Sequence, residues 1–287
     1  MLPIDEWRAR GRMIETRDGR VWAMDTGPAP GIPVVLLHGF PTSSWDFAAV
    51  IDKLAGRRVI TFDFLGFGLS DKPPEYGYSL FEQADVTLAV LRAFGVERAH
   101  VWGHDMGTSV LTELCARRER ESLPFDLESI VLMNGSVHIE LAHLTFGQRA
   151  LRSPFAKIFA RLNTSRTFKA QMRGVFGRQP PEEALDGMWA LIAREDGPAR
   201  FPAAIRYVDE RSRFRRRWIG ALEKLDIPAL VAWGKLDPVA IVPIAEQLAR
   251  EIPRGRLVLW DDLGHYPHVE DPTRVASTVS AFWDSLL

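Results

Sequence analysis

The chain is short of several things, and each shortage excludes something. It holds a single cysteine, Cys115, so no internal disulfide can form and nothing points to an oxidising compartment. Charge of one sign is also lacking: 36 Lys and Arg face 37 Asp and Glu, for a formal net charge of −1. No global field therefore favours nucleic acid or an anionic membrane. Apolar runs such as Pro33–Leu37 and Ile227–Trp233 are strand-length, and none approaches the roughly 20 residues a spanning helix needs. The N-terminal MLPIDEWRARGR is charged from residue 5 and lacks the apolar run of a signal peptide. There is no internal repeat and no low-complexity linker. These absences predict a soluble, cytoplasmic protein, monomer or homodimer, with no nucleic-acid and no membrane partner.

What is present is an alternation of short β-branched runs with longer helical runs, the pattern of an α/β fold. RVWAMDTG, PVVLLHG, RRVITFDFLG, ERAHVWG, SIVLMNG, IPALVAWG and RLVLWDD read as strands. Helices are expected over 45–54, 79–94, 106–117, 242–251 and 273–286. The second of these has Ser79 as its cap, Glu82 at the reciprocal capping position and Gly95 as its stop. Strand-like runs vanish between about residues 138 and 217, where the chain is helical, aromatic, arginine-rich and broken by prolines. The expected architecture is a mostly parallel central sheet flanked by helices, its core formed by residues 1–137 and 218–287. A helical cap over residues 138–217 interrupts it. Ligands of such sheets bind at the carboxyl ends of the strands, which the cap would cover.

Four strand ends carry chemistry. In GHDMG, Asp105 stands at a strand-turn-helix elbow between Gly103 and Gly107. Such an elbow lifts its central side chain to the strand ends, and small neighbours relieve the crowding. Taken alone, the motif favours Asp105 as an ordinary helix cap. HGFP follows another strand and can aim the Phe40 N–H at the same space as the Met106 N–H, as an oxyanion hole. Asp237 follows the strand ending at Trp233, and His265 lies between the last strand and the last helix. Each has a plain reading as a turn or surface residue. Together, in the order nucleophile, acid, histidine, they form the hydrolytic triad Asp105–Asp237–His265.

These motifs resemble those of the α/β-hydrolases, specifically the branch of epoxide hydrolases and haloalkane dehalogenases, which uses an aspartate nucleophile. HGFP, DFLGFGLSDKP, GHDMG and LGHYPHVEDP carry that resemblance. SLFEQAD, FRRRWIGAL and LDPV extend it to mesoderm-specific-transcript-like proteins, over most of the chain.

A carboxylate nucleophile narrows the chemistry. Its reference pKa of about 3.9 leaves it charged at neutral pH without a base. Attack on an ester carbonyl would make an anhydride, whereas attack on a saturated carbon makes an alkyl ester that water can hydrolyse. The electrophile is then an epoxide or, as the alternative, a haloalkane or haloacid. Dehalogenases of the branch usually carry Trp after the nucleophile, and many carry Asn after His-Gly; here Met106 and Phe40 stand there, and His-Gly-x-Pro fits epoxide hydrolases.

Of four tyrosines, Tyr76, Tyr78, Tyr207 and Tyr266, only Tyr207 lies in the insertion. The resemblance gives it the role of the ring-polarising acid, and no second cap tyrosine accompanies it. His38, His104, Trp189 and His143 are further candidates for the substrate pocket. RSRFRRRW (211–218) reads as a solvated helix face. His268, three residues after His265, has no evident co-ligands, so neither metal nor cofactor is expected. The expectation is an epoxide hydrolase working through an Asp105 ester; a hydrolase-fold protein that binds ligand without turnover is the remaining alternative.

Overall fold

Eight strands form one sheet in the order β1-β2-β4-β3-β5-β6-β7-β8 in the computed structural model, which describes residues 2–54 and 56–286. They are β1 (Arg12–Glu15), β2 (Arg20–Asp25), β3 (Val34–Leu37), β4 (Val59–Phe62), β5 (Arg98–His104), β6 (Asp126–Met133), β7 (Ala229–Gly234) and β8 (Gly255–Trp260). From β4 through β8 every pairing is parallel, while β2 runs antiparallel to both β1 and β4. Central strands such as β3 and β7 are buried at every position, which is why they read as unbroken apolar runs.

The chain leaves β3 for β4 on one side and then returns past β3 to β5 on the other. This reversal is a topological switch point, where strand ends diverge and open a crevice. HGFP and GHDMG stand on its two sides.

Five expected helices are present in substance. Leu80–Ala93 carries its capping box, the Ser79 N–H donating to Glu82 Oε2 at 2.9 Å, and Gly95 stops it at φ 62°. The expected helix over 45–54 is shorter and begins as a 3₁₀ turn, Ser44–Phe47, before Ala48–Ile51. Two N-terminal elements were not expected: the helix Ile4–Ala9 and strand β1, which bury only Trp7 and Ile14 respectively. One buried residue per element leaves almost no periodic signal.

Between β6 and β7 the chain is helical only, from Ile139 to Glu223. Its last helix, Arg215–Glu223, runs across position 217 and packs on Met106–Glu119. There the arginine-rich run departs from the expected solvated face. Arg213, Arg215 and Arg216 are exposed, but Arg211 is buried, and Arg217 reaches the buried carboxylate of Glu113. Glu113 accepts hydrogen bonds from Arg217 Nε (2.7 Å) and Nη2 (2.8 Å), Trp218 Nε1 (2.9 Å) and Arg117 Nε (2.9 Å). The run thus fastens the helical segment to the helix behind Asp105.

Removing one member of a buried charged cluster strands the others. Glu113→Ala is expected to lower the unfolding free energy by about 3–5 kcal/mol in chemical denaturation. A loss below about 1 kcal/mol, the value of a surface pair, would show that the cluster is solvated.

Candidate active site

Asp105 follows β5 directly and holds φ 45°, ψ −110°, a conformation L residues rarely adopt. Its neighbours make the turn possible. A Cβ on Gly103 would stand 2.6 Å from the Gly107 carbonyl oxygen, and one on Gly107 would collide with the Leu37 carbonyl of β3. A Cβ on Gly39 would meet the Asp105 side chain at 2.8 Å. Only glycine lets the two turns approach this closely. The approach places the Phe40 N–H 3.0 Å from Asp105 Oδ2, to which it donates. The Met106 N–H opens the following helix and makes no such bond to the resting carboxylate.

His265 Nδ1 lies 2.7 Å from Asp237 Oδ2, both buried. Asp237 Oδ1 accepts the Val239 and Ala240 N–H groups at 2.8 and 3.0 Å, so Asp237 holds the imidazole from a fixed position. Burial disfavours the His265 charge, but Asp237, then Asp105 and Glu270, outweigh it and lift its pKa to about 9. Asp105, Asp237 and His265, expected at three separate strand ends, thus lie at one edge of the sheet, and His265 and Asp237 are in direct contact.

Three neighbours escaped the sequence reading. Asn134, at φ 44° after β6, donates through Nδ2 to Asp237 Oδ2 at 2.8 Å, and its Oδ1 accepts the Gly234 N–H at 3.0 Å. Its signal was the Asn-Gly turn at the end of a strand on the same edge. Arg211 donates from Nε to Ser109 Oγ (2.7 Å) and from Nη2 to the Asp105 carbonyl (3.2 Å). The same Nη2 stands 3.7 Å from Asp105 Oδ1. Nothing in a run of five arginines marks the one that turns inward. Tyr266 lines the cavity beside His265 and stacks on Phe176 at 5.1 Å; its place next to the histidine was the available clue.

The cavity over this edge is walled by Phe40, Pro41, Val239, His265 and Tyr266 from the core. The helical segment adds, among others, Gln148, Leu151, Phe159, Phe168, Met172 and Phe201. Tyr207 is buried at its margin, 5.7 Å from the Phe40 ring and 4.5 Å from the Arg211 guanidinium carbon, and its hydroxyl accepts a long bond of 3.5 Å from Gln148. Burial and the nearby Asp105 charge push its pKa above the ordinary phenol value.

Four residues expected at the pocket wall are not among its lining residues. His38 is a buried strut: Nδ1–H donates to the Gly39 carbonyl (2.8 Å), and Nε2 accepts the Phe64 N–H (3.0 Å). His104 donates from Nε2 to the His265 carbonyl at 2.8 Å, propping the histidine loop from beneath. Burial, then His268 and His265, hold its pKa well below the usual imidazole value. Trp189 packs on Phe168 at 5.6 Å, and His143 is exposed, tied only by its backbone to Val239.

The His265 shift has a thermodynamic sign. Its folded pKa of about 9 exceeds the unfolded value of 6.5, so its stabilisation is full below pH 6.5 and lost as pH rises through about 9. The stability advantage of the wild type over His265→Gln, from denaturation at several pH values, should shrink across that window. An advantage that grows with pH would refute the ion pair.

The chain has recognisable relatives. It is 42% identical to the LipZ protein of Mycobacterium tuberculosis over 275 residues, 95% of each chain. It is 36% identical to the mesoderm-specific transcript protein of Mus musculus over 295 residues, 98% of this chain and 88% of that protein. Among solved structures, the haloalkane dehalogenase DbeA of Bradyrhizobium elkani superposes with a TM-score of 0.79 at 20% identity, covering 96% of this chain and 98% of that one. An esterase of Exiguobacterium antarcticum gives 0.75 at 20% identity, with coverage of 95% and 98%. At such identities the superpositions speak for the fold alone. The alpha/beta hydrolase fold family matches residues 32–272, and this chain belongs to it.

Proposed function

We propose that this hydrolase opens epoxides to vicinal diols through a covalent ester on Asp105, beneath a cap formed by residues 138–217. The observation that carries the reading is a carboxylate, not a hydroxyl, at the elbow, with Oδ2 on the Phe40 N–H at 3.0 Å. That bond leaves Oδ1 to attack. As the Oδ1–carbon bond forms, the ring carbon–oxygen bond breaks, and the ring oxygen takes a proton from Tyr207. Tyr266 is a second phenol at the cavity, and both feel the Asp105 charge and stay protonated at neutral pH.

Esterification removes the Asp105 charge, one of the carboxylates that hold a proton on His265. The histidine then gives its proton to the Tyr207 phenolate, which restores the phenol and leaves a neutral imidazole as the base for the second step. It takes a proton from water, whose oxygen attacks the Asp105 carboxyl carbon. The negative charge gathers on Oδ2, where the Phe40 and Met106 N–H groups can receive it. The carboxyl carbon–Oδ1 bond then breaks, the product leaves with Oδ1 and a proton from His265, and the proton left on the new Asp105 carboxyl passes to His265, restoring the resting site.

Arg211 supports the first step as a positioning group. Its Nη2 holds the Asp105 carbonyl and flanks Oδ1. For a halide leaving group, the Phe40 and Met106 side chains offer no N–H, which favours the epoxide over the organohalide.

Incubating His265→Gln with a panel of epoxides and haloalkanes, followed by intact mass, tests the reading. The expected result is a stable adduct of intact epoxide mass on Asp105, without released halide. Tyr207→Phe added to that background should slow adduct formation about a hundredfold or more, the usual worth of a general acid. Halide release would assign a dehalogenase, and no adduct with any electrophile would favour ligand binding without turnover.

A further inference from the structure

Charge is segregated in this chain in a way its total conceals. Residues 141–181 contain eight Lys or Arg and no Asp or Glu, so the remainder carries −1 − 8 = −9. Several of these cations have partners elsewhere: Arg152 pairs with Asp209, Lys169 with Glu182, and Arg178 with Asp262. Arg149, Lys157, Arg161 and Arg166 are exposed and make no ion pair among the described residues.

The same stretch shows the largest apolar side chains to solvent. Phe146, Phe155, Ile158 and Leu162 are 71%, 69%, 60% and 67% exposed. Positions 155, 158 and 162 are spaced i, i+3, i+7 and share one face of the helix Ala156–Arg161 and its ends. Phe146 joins them through Phe159, whose ring is 6.0 Å away. Phe159, and Leu151 from the preceding short helix Phe146–Leu151, also line the active-site cavity. The two short helices that bear the outward apolar side chains and three of the four unpaired cations thus also supply part of the pocket wall.

We propose that this face docks on the surface of an anionic lipid bilayer. Phe146, Phe155, Ile158 and Leu162 would enter the interfacial layer, and the cations would meet lipid phosphates. Protruding aromatic and aliphatic side chains beside Lys and Arg are what peripheral membrane contact requires. A contiguous exposed apolar patch on a globular protein is otherwise unfavourable. A symmetric pairing of two copies through this face is disfavoured, because it sets the same four cations against themselves. The contact is peripheral: no helix among the described residues is long and apolar enough to cross a membrane. It would let an apolar substrate pass from the bilayer into the cavity without crossing water.

Co-sedimentation with phosphatidylcholine vesicles, with and without about a third phosphatidylglycerol, tests this in full-length protein. Binding is expected to the mixed vesicles, at least about tenfold weaker to pure phosphatidylcholine, and to weaken with salt. Phe155→Ser/Leu162→Ser and Lys157→Glu/Arg161→Glu should each weaken binding about tenfold or more, with unchanged circular dichroism. Equal binding by wild type and both variants, or no binding to the mixed vesicles, overturns the proposal. So does a dimer in sedimentation that the serine variant dissolves while the wild type ignores vesicles. None of these readouts depends on the epoxide reaction.

Discussion

The site depends on the backbone of Asp105 being held where few residues go. A non-glycine residue at φ 45°, ψ −110° costs about 1–3 kcal/mol and persists only where its surroundings over-determine it. Several contacts do so here. Gly103 and Gly107 let the helix start against β3, and Thr108 Oγ1 donates to the Asp105 carbonyl at 2.6 Å. Arg211 donates to the same carbonyl at 3.2 Å. The carboxylate is then aimed by the Phe40 N–H, whose position depends on Gly39 coming within reach of Asp105.

The helical segment is part of that constraint. Arg211 reaches Asp105 from it, and the Val175 carbonyl accepts the His265 N–H at 2.8 Å. Glu270 ties the Gly177 and Arg178 N–H groups to the loop of Gly264, each at 2.8 to 2.9 Å. Asp105 and His265 are therefore both braced by the helical segment. A displacement of the segment would loosen the two together.

Much of this was legible in the residues, for identifiable reasons. Asp105, Asp237 and His265 each follow a strand whose apolar run is strong, so their common edge could be inferred from chain order alone. The capping box at Ser79 and Glu82 is local chemistry and survives any tertiary context. What could not be read depends on long-range packing. Arg211 and Arg213 are two residues apart in the same run, yet one is buried on Asp105 and the other exposed. His38 and His104 resemble pocket residues in sequence, but both ring nitrogens of His38 are taken by the Gly39 carbonyl and the Phe64 amide, and Nε2 of His104 by the His265 carbonyl. A net charge of −1 hid a run of eight cations because a sum carries no position.

Everything chemical follows from which atom makes the first new bond. If Asp105 attacks carbon, the oxygen delivered to the first product molecule is its own, since water enters only at the carboxyl carbon. The most direct measurement is a single turnover of an epoxide, enzyme in excess, in water enriched in the heavy isotope of oxygen. The diol should be unlabelled after one turnover and become labelled over many. Full labelling in the first turnover would mean that water attacks the substrate directly and that Asp105 is not the nucleophile.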